Sequence, residues 1–166
     1  MGKRLRDNAA GYDVMPEIFT IGHSNRTPEE FLATLADFGV QTLVDVRTRP
    51  VSHFPHFKGE ALAALLADAG IAYVWLGPQL GGLRAGGYGA WMATPQFAAG
   101  IERLEGLART GPTAFMCAER DPSHCHRKYI AVTLKGRGWT VRHLIAPGQE
   151  IPAAEEIGVQ LGFGLD

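Results

Sequence analysis

The sequence predicts an α/β fold: a mostly parallel five-stranded sheet covered by helices on both faces. Two observations predict it. Five short apolar runs alternate with segments of helical periodicity, the pattern of successive strand–helix–strand units. The helical segments also carry start and stop signals, with capping residues and proline at one end and glycine at the other. A length of 166 residues with 46% hydrophobic and 20% charged side chains suits one soluble globular domain with a sizeable core.

Each element follows in order. EIFTIG (17–22) reads as the first strand. Thr27-Pro28-Glu29-Glu30 opens a helix, a cap followed by proline and acids in the first turn; Phe31, Leu35 and Phe38 follow at helical spacing and Gly39 stops it. QTLVDVR (41–47) is a buried strand, and the loop TRPVSHFPHF leads to a helix with Leu62, Leu65, Leu66 and Ala69 on one face, ended by Gly70. IAYVWL (71–76) is the third strand. The next stretch, GPQLGGLRAGGYG, holds six glycines in thirteen residues. A third helix runs from about Pro95, with Phe97, Ile101, Leu104 and Ala108 as its inner stripe. PTAFMCA (112–118) is the fourth strand, and a fourth helix passes through Ile130 and Leu134 to Gly136 and Gly138. TVRHLIA (140–146) is the fifth strand. The expected whole is a single three-layer, Rossmann-like domain with right-handed crossovers; the pattern leaves the strand order open.

Residues 1–16 read as a loose arm, basic but without the apolar region of a secretory signal. Residues 17–146 form the domain and 147–166 an acidic tail. No apolar run reaches the roughly 20 residues of a membrane span, so no membrane partner is expected. Net charge is −1; Glu150, Glu155, Glu156 and Asp166 lie in the last stretch, which leaves residues 1–148 with sixteen basic and thirteen acidic residues, a net of +3. That balance does not suggest a duplex-DNA binder but admits an anionic small ligand. Two cysteines without an export signal point to the cytoplasm and to free thiols rather than a structural disulfide.

Polar clusters follow the carboxyl ends of four strands: Gly22-His23-Ser24-Asn25-Arg26, Asp45 with Arg47, the glycine-rich loop with Arg84 and Tyr88, and Cys117, Glu119 and Arg120 leading to His124-Cys125-His126-Arg127. In an open parallel sheet those ends share one edge, where ligands bind. Asp45 and Arg47 alternate along a strand, so they face one side with Val46 opposite; Asp45 either orients an arginine or acts as a base, or else ties down a neighbouring loop. Ser24 and Asn25 either donate hydrogen bonds to a ligand or form a turn. The glycine-rich loop matches no dinucleotide fingerprint or P-loop; it either brings backbone N–H groups to an anion or acts as a lid.

The segment FMCAERDPSHCHRKYIA (115–131) gathers both cysteines with two histidines and two arginines. Cys117, ending a strand, reads as a small core residue or as a second candidate nucleophile. Asp121-Pro122 reads as a helix cap and first position, which puts Cys125 in the first or second helical turn, where the dipole, Arg127 and nearby histidines favour a thiolate; the alternative is that it packs with Tyr129 and Val132. Arg127 at a helix N-terminus runs against the dipole, so an anionic ligand or the Glu119 carboxylate is the expected reason for it. The spacing lacks the familiar C-x₂-C pair, and no metal or other cofactor is assigned; a metal site would need His23, His53 or His56. Cys-x₅-Arg, the tyrosine-phosphatase pattern, is absent. Leu43-Val44-Asp45-Val46-Arg47 and a cysteine after a later strand fit rhodanese-type sulfur transferases in part.

The motifs TIGHSN (20–25), LVDVRTRPVS (43–52), LGPQLGG (76–82), MCAERDPSHCHR (116–127) and VRHLI (141–145) together resemble the domain of unknown function 488 family over about residues 18–146. The resemblance implies a small α/β domain and no particular substrate. It emphasises His23, Ser24, Asn25, Asp45, Arg47, Ser52, Cys117, Glu119, Cys125, His126 and Arg127. This chain has His53 where the family often has arginine.

The leading expectation is a cytoplasmic enzyme acting on a small anionic or nucleotide-like substrate. Cys125, or else Cys117, would be the nucleophile or sulfur carrier, with Glu119, His126 and Asp45 completing the catalytic set. His23, Ser24, Asn25, Arg47, Ser52, Arg84 and Arg127 would bind the substrate. The alternatives are a non-catalytic ligand or nucleic-acid module, a rhodanese-like sulfur transferase, and a metal-dependent hydrolase. The oligomeric state is left open.

Overall fold

The computed structural model describes residues 15–152; the proposed arm as far as residue 14, and Glu155, Glu156 and Asp166 of the acidic tail, lie outside the described residues. The elements are β1 (Glu17–Gly22), α1 (Pro28–Asp37), β2 (Thr42–Asp45), α2 (Gly59–Asp68), β3 (Ala72–Trp75), α3 (Gly77–Leu80), α4 (Tyr88–Met92), α5 (Pro95–Thr110), β4 (Thr113–Cys117), α6 (Arg127–Gly136), β5 (Thr140–Ala146) and β6 (Gln149–Pro152), with 3₁₀ turns at Pro55–Phe57 and Pro122–His124. The expected helix starts are seen: Thr27 Oγ1 accepts the Glu30 N–H at 3.0 Å ahead of Pro28, and Thr94 Oγ1 accepts the Phe97 N–H at 3.2 Å ahead of Pro95.

Among the described residues, six strands form one sheet in the order β3-β2-β4-β1-β5-β6. The first five are parallel, and β6 runs antiparallel to β5. The expected count of five is therefore one short. The extra strand lies where the sequence suggested a tail, because the chain reverses at Gly148, whose φ of 72° favours glycine. Its short run then pairs at the sheet edge, where its terminal proline is tolerated.

Side-chain alternation divides the core between the two faces. On one, Phe31 and Leu35 of α1 and Leu62 and Leu66 of α2 pack on Ile21, Leu43 and Met116. On the other, Ile101 and Leu104 of α5 and Ile130 and Leu134 of α6 pack on Val44 and Phe115. Successive β4 residues thus serve opposite layers, as a strand buried on both faces requires. A carboxylate pins the second layer: buried Glu105 accepts from Arg137 Nε and Nη2 and from Trp139 Nε1 at 2.8–2.9 Å. The Arg137 hydrogen bonds hold its carboxyl below the usual range.

The topology places the edge at which the polar motifs gather. From β1 the chain steps outward to β2 and β3 with α1 and α2 on one face. It then returns through α5 to β4 and through α6 to β5 on the other. Neighbouring strands β1 and β4 therefore send their following loops to opposite faces, which opens a crevice at their carboxyl ends.

Gly22 makes that crevice tight. A Cβ there would collide with the Glu119 carbonyl. Gly22→Ala is expected to destabilise the fold by about 1–3 kcal/mol in urea unfolding; an unchanged midpoint would show that the two strand ends can part freely.

Candidate functional site

The end of β1 is fastened to the end of β4 beyond the regular pairing. The His23 N–H donates to the Cys117 carbonyl at 2.9 Å and the Ser24 N–H to the Ala118 carbonyl at 2.8 Å. Ser24 has φ 47°, in the left-handed region uncommon for a residue with a side chain. Buried Arg26 reaches back, its Nε donating to the Gly22 carbonyl at 2.8 Å. The His23 ring stacks on Phe57, centroids 4.5 Å apart. Its Nδ1 donates to the Ser24 carbonyl at 2.9 Å, which leaves Nε2 as an acceptor, 3.4 Å from Arg47 Nη1.

Asp45 and Arg47 meet as the alternation along β2 requires. Arg47 Nε donates to Oδ1 of Asp45 at 2.9 Å and Nη2 to Oδ2 at 2.7 Å, while the Arg47 N–H also reaches Oδ1. Tyr73 donates its hydroxyl to Oδ2 at 2.6 Å. Burial, then the neighbouring Asp45, push that hydroxyl above its ordinary range. With both carboxylate oxygens engaged and no exposed surface, Asp45 orients Arg47, the first of the roles weighed for it, and is not placed to act as a base. Arg47 Nη1 also donates to the Val51 carbonyl at 3.2 Å, fixing the loop between β2 and α2.

Cys117 and Cys125 depart from the expectation of free thiols: their sulfurs are bonded to each other. Cys125 also lies outside the helix. Asp121 caps a 3₁₀ turn, accepting from the Ser123 N–H and hydroxyl, and the chain returns to extended geometry at Cys125 before α6 begins at Arg127. The expected dipole effect survives in another form, since the Arg127 N–H points at the Cys125 sulfur, 3.4 Å away. His126 donates Nε2–H to the Val46 carbonyl at 2.9 Å, which turns the Nδ1 lone pair to the same sulfur at 3.6 Å.

Arg127 is completely buried. Its Nε donates to the Cys117 sulfur at 3.0 Å, Nη1 to Thr20 Oγ1 at 2.6 Å, and Nη2 to the Glu119 and Arg120 carbonyls at 2.6 and 3.3 Å. The expected anion binder is thus turned inward, because carbonyls and a sulfur satisfy the charge that the helix dipole opposes. Arg84 is also diverted. It donates to the carbonyls of Gly77, Pro78 and Gly81 and lies 3.8 Å over the Trp91 ring, so it ties the glycine-rich loop together.

Two adjoining clefts open on this edge. The larger, about 710 Å³, is lined by His23, Ser24, Asn25, Ser52 and Glu119, with His53 and Phe54 at its side. The smaller, about 420 Å³, brings Arg47, Cys117, Cys125 and His126 together, with Arg49 and His124. Val51, Ala118 and Glu119 border both. Asp45, Arg84 and Arg127 stand behind these walls. Sequence reasoning missed exposed Arg49, two positions beyond Arg47 in DVRTRP, which was the available signal. It also missed Tyr73 and Thr20, which become partners only through strand pairing. Among the described residues no group of three or more His, Cys, Asp or Glu side chains is arranged to hold a metal ion.

The family model described as Domain of unknown function DUF488 matches residues 27–134. The chain belongs to the DUF488 family. The match takes in LVDVRTRPVS, LGPQLGG and MCAERDPSHCHR, while TIGHSN and VRHLI fall outside it. No curated protein and no solved structure matches the chain. Among the described residues of this DUF488 protein, no helix is long and apolar enough to cross a membrane.

Both site imidazoles have lowered pKa values of about 4, with burial the largest cause; Arg47 contributes at His23, and Arg127 and Arg84 at His126. In the unfolded chain each would titrate near 6.5. Between those values the unfolded state takes up protons that the folded state refuses. Their stabilising effect is therefore complete above the unfolded value and is lost as pH falls toward the folded one. Unfolding free energy in urea is expected to drop on the order of 4 kcal/mol between about pH 7 and pH 5, about 2 kcal/mol from each ring, with roughly half that slope in His126→Asn. A flat profile in the parent would contradict neutral, buried rings.

Proposed function

We propose that this DUF488 domain is a cytoplasmic thiol-dependent enzyme acting on a small anionic or nucleotide-like substrate. One observation carries the reading: the sulfur pair and Arg47 line the same cleft, at the sheet edge where α/β folds bind ligands. Cys125 is the nucleophile once reduced. The Arg127 N–H favours its thiolate, and the His126 Nδ1 lone pair faces the same sulfur. Asp45 compensates much of the charge on Arg47, so exposed Arg49 supplies attraction for an anion while Arg47 fixes its direction. Glu119, exposed between the clefts, is the candidate proton carrier for a leaving group.

The larger cleft suits the rest of a nucleotide-like molecule. Half-exposed Phe54 and exposed Val51 offer apolar contact to a planar base, while Ser24, Asn25 and Ser52 supply hydrogen-bonding groups. The terminal nucleotide of a single strand would find the same groups, which is the second reading, that of a nucleic-acid module.

Alkylation tests the thiol reading. In reduced protein, iodoacetamide should modify Cys125 ahead of Cys117, and inorganic phosphate or a nucleoside monophosphate should slow it by roughly fivefold or more. Arg49→Ala should weaken that protection and Cys125→Ser should abolish the fast phase. A fast phase that survives Cys125→Ser, or that no anion slows, would count against this assignment. Protection by single-stranded oligonucleotide alone would favour the binding module.

A further inference from the structure

The two sulfurs share a bond but not an environment. Cys125 lies nearer the surface, 8% exposed against 2% for Cys117, and both border the smaller cleft. Cys117 receives the charged Nε–H of Arg127 at 3.0 Å, whereas Cys125 receives a backbone N–H at 3.4 Å and faces an imidazole. Thiol–disulfide exchange depends on which sulfur can be reached and on which leaves more readily as thiolate. Here accessibility selects Cys125 for attack, and the guanidinium selects Cys117 as leaving group.

We propose that Cys117 and Cys125 form a reversible exchange couple for small anionic thiols and disulfides, with Cys125 the exchanging sulfur and Cys117 the resolving one. This rests on the thiol reading above and names its substrate class.

In the reducing direction a thiolate, RS⁻, attacks the Cys125 sulfur. A new S–S bond forms, the Cys117–Cys125 bond breaks, and its electron pair passes to Cys117 beside Arg127 Nε. A second RS⁻ attacks the R-bearing sulfur of the mixed disulfide. RSSR departs and Cys125 leaves as a thiolate, which takes a proton from solvent. The protein gains two electrons and two RSH become one RSSR. The oxidising direction is the reverse, with RSSR as oxidant: Cys125 attacks it, one RS⁻ leaves, and Cys117 then attacks Cys125 to release the second. Arg47 and Arg49 in the cleft favour reactants that carry carboxylates.

The test uses glutathione disulfide, with cystamine as a cationic comparison, and intact-protein mass spectrometry. Reduced Cys117→Ser should accumulate one glutathione adduct at Cys125. Cys125→Ser should react at least about tenfold more slowly because its remaining sulfur is less accessible. The parent should pass to the internal disulfide without a lasting adduct, and glutathione disulfide should outpace cystamine. An adduct that forms equally fast in the two variants, or that persists in the parent, overturns the proposal. The parent alone also tests it: in buffers of varied glutathione ratio it must interconvert between dithiol and disulfide, and a protein fixed in one state contradicts the couple. If phosphate protects Cys125 from alkylation while exchange fails, the proposed function stands and this inference falls. If exchange proceeds without anion protection, the sulfur chemistry stands and the nucleotide-like substrate falls.

Discussion

A fully buried guanidinium organises the site. Arg127 opens α6, where the helix dipole disfavours a positive charge, and no part of its side chain reaches solvent. Burying that charge without partners would cost several kcal/mol. It is offset by hydrogen bonds to Thr20 of β1, to Cys117 at the end of β4, and to the Glu119 and Arg120 carbonyls in the following loop. One side chain thereby joins two central strands, a helix and the loop that separates the clefts. The bond from Nε to sulfur places that structural charge directly on the chemistry.

A second buried network holds the opposite wall. Asp45 fixes Arg47 through both carboxylate oxygens, Tyr73 closes on Asp45 from β3, and Arg47 meets both the Val51 carbonyl and His23. The two networks meet across β1 and β4, where Gly22 admits the Glu119 carbonyl at a distance no side chain would allow. Between them lie the sulfurs and a neutral His126 whose tautomer is set by the Val46 carbonyl. This is a preorganised arrangement: the groups facing the clefts are held by partners that do not face them.

What was legible in the sequence follows from locality. Strands and helices with their own alternation or start signals, such as the Thr27-Pro28 cap and the helix opening at about Pro95, read directly. The strand Gln149–Pro152 did not, because its pairing depends on a turn at Gly148 and on β5 rather than on its own composition. Asp45 and Arg47 were readable as neighbours from period-two spacing, and the oddity of an arginine at the start of a helix was visible at Arg127. Its resolution was not, since Thr20 is 107 residues away. Asp121-Pro122 looked like the cap of a long helix, but the Ser123 hydrogen bonds close a 3₁₀ turn first, and Cys125 is released into an extended link. Arg84 carried the right charge beside the right loop and was consumed by that loop's own carbonyls.

Arg127 thus both anchors the loop and favours thiolate at the sulfur pair. The direct measurement is the ultraviolet absorbance of thiolate as the reduced protein is titrated with acid, in the parent and in Arg127→Lys, with folding followed in parallel by circular dichroism. Thiolate should persist below the ordinary cysteine range in the folded parent and shift toward that range in folded Arg127→Lys, which lacks the Nε–H fork. Two thiols that titrate as ordinary cysteines in the parent, or a curve that Arg127→Lys leaves unmoved, would contradict it.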